Sequence, residues 1–292
     1  MCSIGIERIQ VVTGEVYSRV FPDIPLQMAG IELWGAHRRF VVARMGSTGS
    51  TWLAWLLNSH PDVMCTHERI LSRVFPKRSY DSNDLAELIR LMALDTMHSA
   101  YLAAGDVGSV WSPHLHVLSG KFTTALLVRH PARCLNTRLR GYPSNQAFNE
   151  IPTWSPPVIR ELWDIDLDEL CQLDRIFVHD LFVYATQSWL LGKAIAILRI
   201  ESLQELEYCR EALRQLTGVR YSPNLIARAI RHKVHVGTPQ GTTIREMVAG
   251  FSSQQRHWYR TILRDVAPSF GYDLEDELAA LPKSDAAILQ GP

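Results

Sequence analysis

Directly after the apolar run FVVA, residues 44–51 read RMGSTGST, with four hydroxyl residues and two glycines before the apolar stretch WLAWLL. Backbone N–H groups at a helix start have no intrahelical acceptor, and the helix dipole is positive there, so a glycine turn feeding a helix is a place to hold an anion. Ser47, Thr48, Ser50 and Thr51 add hydroxyl donors, and Gly46 and Gly49 let backbone approach a ligand closely. The nucleotide-triphosphate pattern G-x-x-x-x-G-K-[ST] is not met: the two glycines are too close together and Ser50 stands at the lysine position. That disfavours a triphosphate with magnesium more than it disfavours anion binding. Alone, such a turn is equally consistent with a strand-to-helix connection that binds nothing.

The elements around the turn have the right character to position it. RFVVARM is apolar on both faces, as a buried parallel strand is, and STWLAWLLNSH carries Trp52, Leu53, Trp55, Leu56 and Leu57 at helical spacing. FTTALLVR predicts a second buried strand ending at Arg129, and HPARCLNTRLRG a helix with Pro131 in its first turn and Gly141 past its end. AIAILRI followed by SLQELEYCREALRQLTG gives a third such unit, with Ser202 and Glu205 at capping-box spacing and Gly218 as the stop. Asn83 or Asp84 is placed to cap a helix through about Ala103, with Leu85, Ile89 and Met92 on one face. Residues 4–21 alternate apolar and polar around Thr13-Gly14, which predicts a hairpin. Residues 141–160 hold four prolines and several aromatics without period, either a plain connection or an acceptor-binding wall.

Strands alternating with helices predict an α/β fold with a parallel sheet covered on both faces and ligands at the carboxyl ends of the strands. No linker or repeat divides the 292 residues, so one main domain is expected. Its thirty basic and thirty acidic residues give no bulk attraction to nucleic acid or an anionic membrane, so an anion site must be local. Five scattered cysteines without CxxC spacing argue against a disulfide framework or structural zinc. With Glu7 and Arg8 interrupting the start, and no apolar run of spanning length, a cytoplasmic protein is expected.

STGSTWLAWLLNSHPDV resembles the first motif of sulfotransferases that use 3'-phosphoadenosine 5'-phosphosulfate (PAPS), a strand, then [KR]-S-G-[ST]-T-[WL], then a helix. LLVRHPARCLNT is similar to their second motif, a strand ending in R-x-P with a hydroxyl residue eight positions after the Arg. LRIESLQELEYCREALRQLTG and RHWYRTILRDVAPSFGYDLE resemble two later elements, and the likeness runs over roughly residues 38–275 in order. The resemblance implies a P-loop NTPase-like sulfotransferase fold over residues 38–280, with residues 1–37 as an extension and 281–292 as a tail. It implies that Ser47, Thr48, Gly49, Ser50, Thr51 and Trp52 bind the 5'-phosphosulfate and that Arg129 and Thr137 bind the 3'-phosphate.

The family has Lys or Arg two residues before the motif's glycine, where this chain has Ser47, and Arg44 is the nearest cation. In tyrosylprotein-type and many bacterial members a Glu after the HPDV segment takes the acceptor's proton, which points to Glu68, with His67 beside it. Cytosolic members use a His before the second motif, and VWSPHLHVLSG supplies His114 and His116, with Trp111 where a Lys is common. A basic loop closes over the nucleotide in the family; Arg231 and Lys233 fall in the corresponding stretch, with Arg256 near Trp258 a further cation. The implied activity is metal-free transfer of a sulfuryl group to a hydroxyl acceptor, a glycan, lipid, phenol or natural product, leaving PAP. Trp111, Tyr142, Phe148 and Trp154 suggest a ring-bearing or apolar acceptor. The alternatives are a P-loop small-molecule kinase and a PAP-binding protein without transfer activity.

Overall fold

The computed structural model of the chain describes residues 5–20, 36–69, 82–97, 100–118, 120–141, 151–194, 196–231 and 242–274. Five parallel strands, β1 (Ala36–Arg44), β2 (Val63–His67), β3 (Tyr101–Gly108), β4 (Thr123–Val128) and β5 (Ala196–Arg199), form one sheet in the order β2-β3-β1-β4-β5. Phe40, Val41, Val42 and Ala43 of central β1 have no solvent exposure, which is why their sequence is apolar on both faces. An all-parallel sheet brings the carboxyl ends of its strands to one edge. Residues 44–51, 67–69, 108–111 and 129 therefore share that edge.

The chain forms two compact units. One comprises residues 13–129 and 189–236 and contains the whole sheet. Its helices include α2 (Ser50–Leu57), α3 (Ser82–Thr96), the single turn α4 (Leu115–Leu118), α8 (Leu206–Thr217) and α9 (Pro223–Arg231). The other comprises residues 1–12, 130–188 and 237–292 and is helical among its described residues: α5 (Pro131–Gly141), α6 (Ser155–Trp163), α7 (Gln172–Thr186), α10 (Ile244–Ala249) and α11 (Ser253–Leu263). α5, α6 and α11 pack on α7, and a buried ion pair, Arg138 Nε to Asp180 Oδ2 at 2.9 Å, joins α5 to α7.

Four sequence expectations are corrected. The first helix, α1 (Ile6–Val20), occupies the stretch expected to be a hairpin, and the unit division passes through it. Its buried residues, Ile9, Val12, Thr13, Val16 and Tyr17, recur at helical spacing. Gly14 is a contact point in α1, since a Cβ there would meet Trp189 Nε1 at 2.8 Å. Second, α3 ends at Thr96 and Ala103 belongs to β3. Leu85, Ile89 and Met92 are buried, as expected. Third, Ser202 and Glu205 form no capping box: Ser202–Gln204 is a 3-10 turn and α8 begins after Glu205, which offers no side-chain cap. Fourth, the stretch 141–160 is helical from Ser155. Tyr142, Phe148, Lys233 and residues 281–292 lie outside the described residues.

β3 has an unusual strand sequence, YLAAGDVG, and packing explains it. Gly105 pairs with Phe40 across the parallel ladder, and a Cβ at residue 105 would sit 2.4 Å from the Phe40 ring and 2.2 Å from its carbonyl oxygen. The glycine admits the phenyl ring against the backbone.

Candidate anion-binding and transfer site

The glycine turn forms where β1 gives way to α2. Gly49 takes the N-cap position in the left-handed region at φ 85°, and no side chain caps the helix start. A Cβ on Gly49 would approach Ile200 Cγ1 to 3.0 Å, so glycine is required both for the dihedral and for the space. Ser47 is also left-handed, at φ 64°. A non-glycine residue in that region is held there by its surroundings. Arg129, at the end of β4, supplies part of the hold by donating from Nη1 to Ser47 O at 2.9 Å.

The hydroxyls divide by role. Thr48 is fully buried and donates to Met45 O at 3.0 Å, so its side chain closes the turn. Ser50 Oγ lies 2.9 Å from His67 Nε2, at the end of β2. Ser47 and Thr51 are partly exposed. Trp52 anchors α2: its indole is buried and Nε1 donates to Ala229 O on α9 at 3.1 Å.

Arg44 and Glu68 form a buried ion pair, Nη2 to Oε1, with side chains 13% and 4% exposed. Arg44 Nη1 also donates to Met45 O at 3.1 Å. Glu68 accepts from the Ser109 amide at 2.9 Å and from Ser109 Oγ at 3.3 Å, while its own amide donates to Val107 O at 3.1 Å. Its φ of 52° is left-handed too. Two of the three non-glycine residues with positive φ among the described residues, Ser47 and Glu68, thus belong to this one site. Backbone strain of this kind concentrates at functional sites.

Beneath Glu68 is a residue that motif reading misses. Asp106, in β3, is fully buried, and its carboxyl accepts from Thr66 Oγ1 at 2.5 Å and from Trp111 Nε1 at 2.7 Å. Burial pushes this carboxyl up to about 7 and the charge of Glu68 adds to the rise, against the hydrogen bonds from Thr66, Trp111 and the Arg69 amide. A lone carboxylate inside the run AAGDVG is the available signal, because such a group is seldom buried without dedicated donors.

The structure thus gathers Arg44, Ser47, Ser50, His67, Glu68 and Arg129 at the carboxyl edge of one sheet. His114 ends the 3-10 turn after β3 and is buried. Arg231 is the exposed last residue of α9. Thr137 lies on α5, in the helical unit, and donates to Arg133 O at 2.8 Å one helical turn back. Arg256, in the same unit, donates to carbonyls of its own connection, Ala249 and Phe251.

No family model and no curated protein matches the chain. Among the described residues, no helix is long and apolar enough to cross a membrane.

Proposed function

We propose that the chain is a PAPS-dependent sulfotransferase that moves a sulfuryl group to a hydroxyl acceptor. One observation carries most of the weight: Arg129 Nη1 donates to Ser47 O across 82 residues of sequence. The arginine of one motif touches the turn of the other, as a shared nucleotide site requires. The turn also fits an anion, with left-handed Gly49 closed against Ile200 and a helix start that no side chain caps.

In this reading the amides of residues 49–51 and the Arg129 guanidinium orient the phosphate groups, as fixed donors that need no reorganisation during transfer. Bound PAPS supplies an activated sulfuryl group whose transfer leaves negative charge on the 5'-phosphate. The acceptor oxygen forms the new bond to sulfur as the bond from sulfur to the phosphate oxygen breaks, and the acceptor's proton must leave. His67 is the better placed base, because Nε2 faces Ser50 on the turn while both Glu68 oxygens hold Ser109 and Arg44. Glu68 then sets Arg44 at the base of the turn, where Arg44 substitutes for the cation missing at Ser47. Thr137 keeps its assignment to the 3'-phosphate from the sequence resemblance alone.

Calorimetry with PAPS and PAP tests the binding half, and incubation with PAPS and a panel of glycan, lipid and phenolic acceptors tests transfer. Binding of both nucleotides with sulfated product is expected; failure to bind either one overturns the proposal. The Arg44–Glu68 pair favours one second reading, a PAP-binding protein without turnover, since the two groups neutralise each other. Binding of PAP without product on any acceptor selects it.

A further inference from the structure

His67 and Glu68 follow one another at the end of a five-residue strand, and Glu68 is in a backbone conformation that its own type disfavours. Something must hold these two residues in register with the turn. The ladder supplies part: His67 pairs with Val107, and the Glu68 amide donates to Val107 O. The side-chain contacts on either side converge on a single carboxyl. Thr66, just before the pair, donates to Asp106 Oδ1, and the charge of Arg69, just after it, acts on the same group. Trp111 Nε1 donates to Oδ2, which fixes the segment whose Ser109 amide binds Glu68. Gly108 leaves room for this arrangement, because a Cβ there would stand 2.8 Å from Asp106 Oδ2.

We propose that Asp106 is a positioning residue: from beneath the site it clamps residues 66–69, so that His67 and Glu68 stand at the glycine turn. The inference rests on the sulfotransferase reading for what His67 and Glu68 do, but the clamp is a property of the fold and is measurable without a nucleotide. A carboxyl with no solvent exposure is a costly way to fill a core position, and an apolar residue would serve packing alone. What an apolar residue lacks is the capacity to accept from two donors on two separate segments, Thr66 and Trp111. The titratable and charged groups facing Asp106 are Glu68, Cys65 and Arg69, all on the β2 side; the Cys65 thiol is itself pushed well up, by burial first and by Asp106 second, and the Arg69 guanidinium is held up by Asp95 first, with Asp106 adding. Because burial brings the Asp106 carboxyl up to about 7, the clamp changes charge near neutral pH, with Glu68 feeling the change.

The test uses the full chain. Amide hydrogen exchange is compared between the protein, Asp106→Asn and Asp106→Ala. Losing a buried acceptor is expected to speed exchange at Glu68 and Arg69 by roughly ten-fold or more in the Ala variant and less in Asn, with β1 and β4 unchanged. In turnover assays the Ala variant is expected to lose about ten-fold or more in kcat, with PAP affinity within about three-fold, because the groups on the turn itself are untouched. Unchanged exchange at residues 66–69, or uniform loosening of the sheet, overturns the clamp. Should neither variant fold, the protein itself decides. Carbon-13 labelling follows the Asp106 carboxyl through its titration, and the His67 ring and Arg69 amide shifts are expected to move with the same midpoint; their failure to follow it overturns the proposal. Absence of PAP binding by the protein defeats the sulfotransferase reading and leaves the exchange result standing.

Discussion

At the scale of single residues, the site is defined by charges and dihedrals that oppose each other's preferences. Gly49→Ala forces a Cβ against Ile200 at φ 85° and is expected to destabilise the fold by about 1–2 kcal/mol, read from urea melts, and to abolish nucleotide binding. Ser47→Gly has the opposite sign: it relieves a left-handed serine and is expected to add up to about 1 kcal/mol of stability. Its hydroxyl is lost as well, so PAP affinity distinguishes a ligand-facing Ser47 from one that only shapes the turn. Glu68→Gln removes the partner of a mostly buried guanidinium. The expected outcome is lower stability together with tighter PAP binding, by an order of magnitude or so, because Arg44 then offers a charge-assisted hydrogen bond of about 1.5–3 kcal/mol to the anion. Calorimetry on the variant checks it, and weaker binding would show that Arg44 does not reach the ligand.

At the scale of elements, Asn58 makes a test case. It ends α2 and its amide side chain pairs with both backbone groups of Cys65, donating from Nδ2 to the carbonyl at 2.6 Å and accepting from the amide at 2.8 Å. Asn58→Ala is expected to cost about 2 kcal/mol, the sum of two bonds to buried groups, and to loosen β2 and with it His67. Hydrogen exchange at Cys65 checks the location. Asn58 was legible only as part of the NSHPDV string, since a side chain acting as a short strand has no periodicity. The legible elements have strong local signatures: β1, β4 and β5 each carry a short apolar run, and Gly218 stops α8 at φ 75°. β3 is hidden because Ala, Ala, Gly and Asp lack strand propensity; Gly105 is there because Phe40 needs the space, and Asp106 gives Thr66 and Trp111 their acceptor. α1 reads as a hairpin in the sequence because over a few residues a period of two and a period of 3.6 overlap, and Gly14 resembles a turn residue although its place is set by Trp189 beside it. Glu68 and His67 are legible as candidates, but their partners are not, as these come from two other places in the chain, Arg44 and Ser50 on the glycine turn and Ser109 after β3.

At the scale of the whole molecule, two buried groups among the described residues, one in each unit, have pKa values between about 4 and about 7, and they bear on stability in opposite directions. The Asp106 carboxyl, raised from 3.8 to about 7, keeps its proton in the native state over a range where the unfolded chain has released it. Its contribution therefore falls as pH rises through that range, by on the order of 4 kcal/mol in total. His179, in the helical unit, is lowered from 6.5 to about 4, chiefly by burial with Arg138 adding, against the nearby Asp180. There the unfolded chain takes up the proton first, so stability falls as pH drops through the window, by roughly 3 kcal/mol. The net curve between about pH 4 and pH 6.5 is expected to be shallow. Asp106→Asn should expose the acid-side loss from His179, and His179→Gln the gain from Asp106. Urea melts of both variants across this range check the signs.

The central place of β1 sets the order of events during synthesis. It precedes the other described strands in the chain, yet both its neighbours come later: Arg38 bonds Thr123 Oγ1 across 85 residues, and the turn after β1 meets Arg129. At a translation rate of about 5–20 residues per second, an apolar strand and its glycine turn wait roughly 4 to 16 seconds outside the ribosome before β4 can cover them. FVVA is therefore exposed on the newborn chain until then, apolar surface of the kind that invites aggregation, and the glycine turn is among the last parts of the sheet unit to acquire its shape.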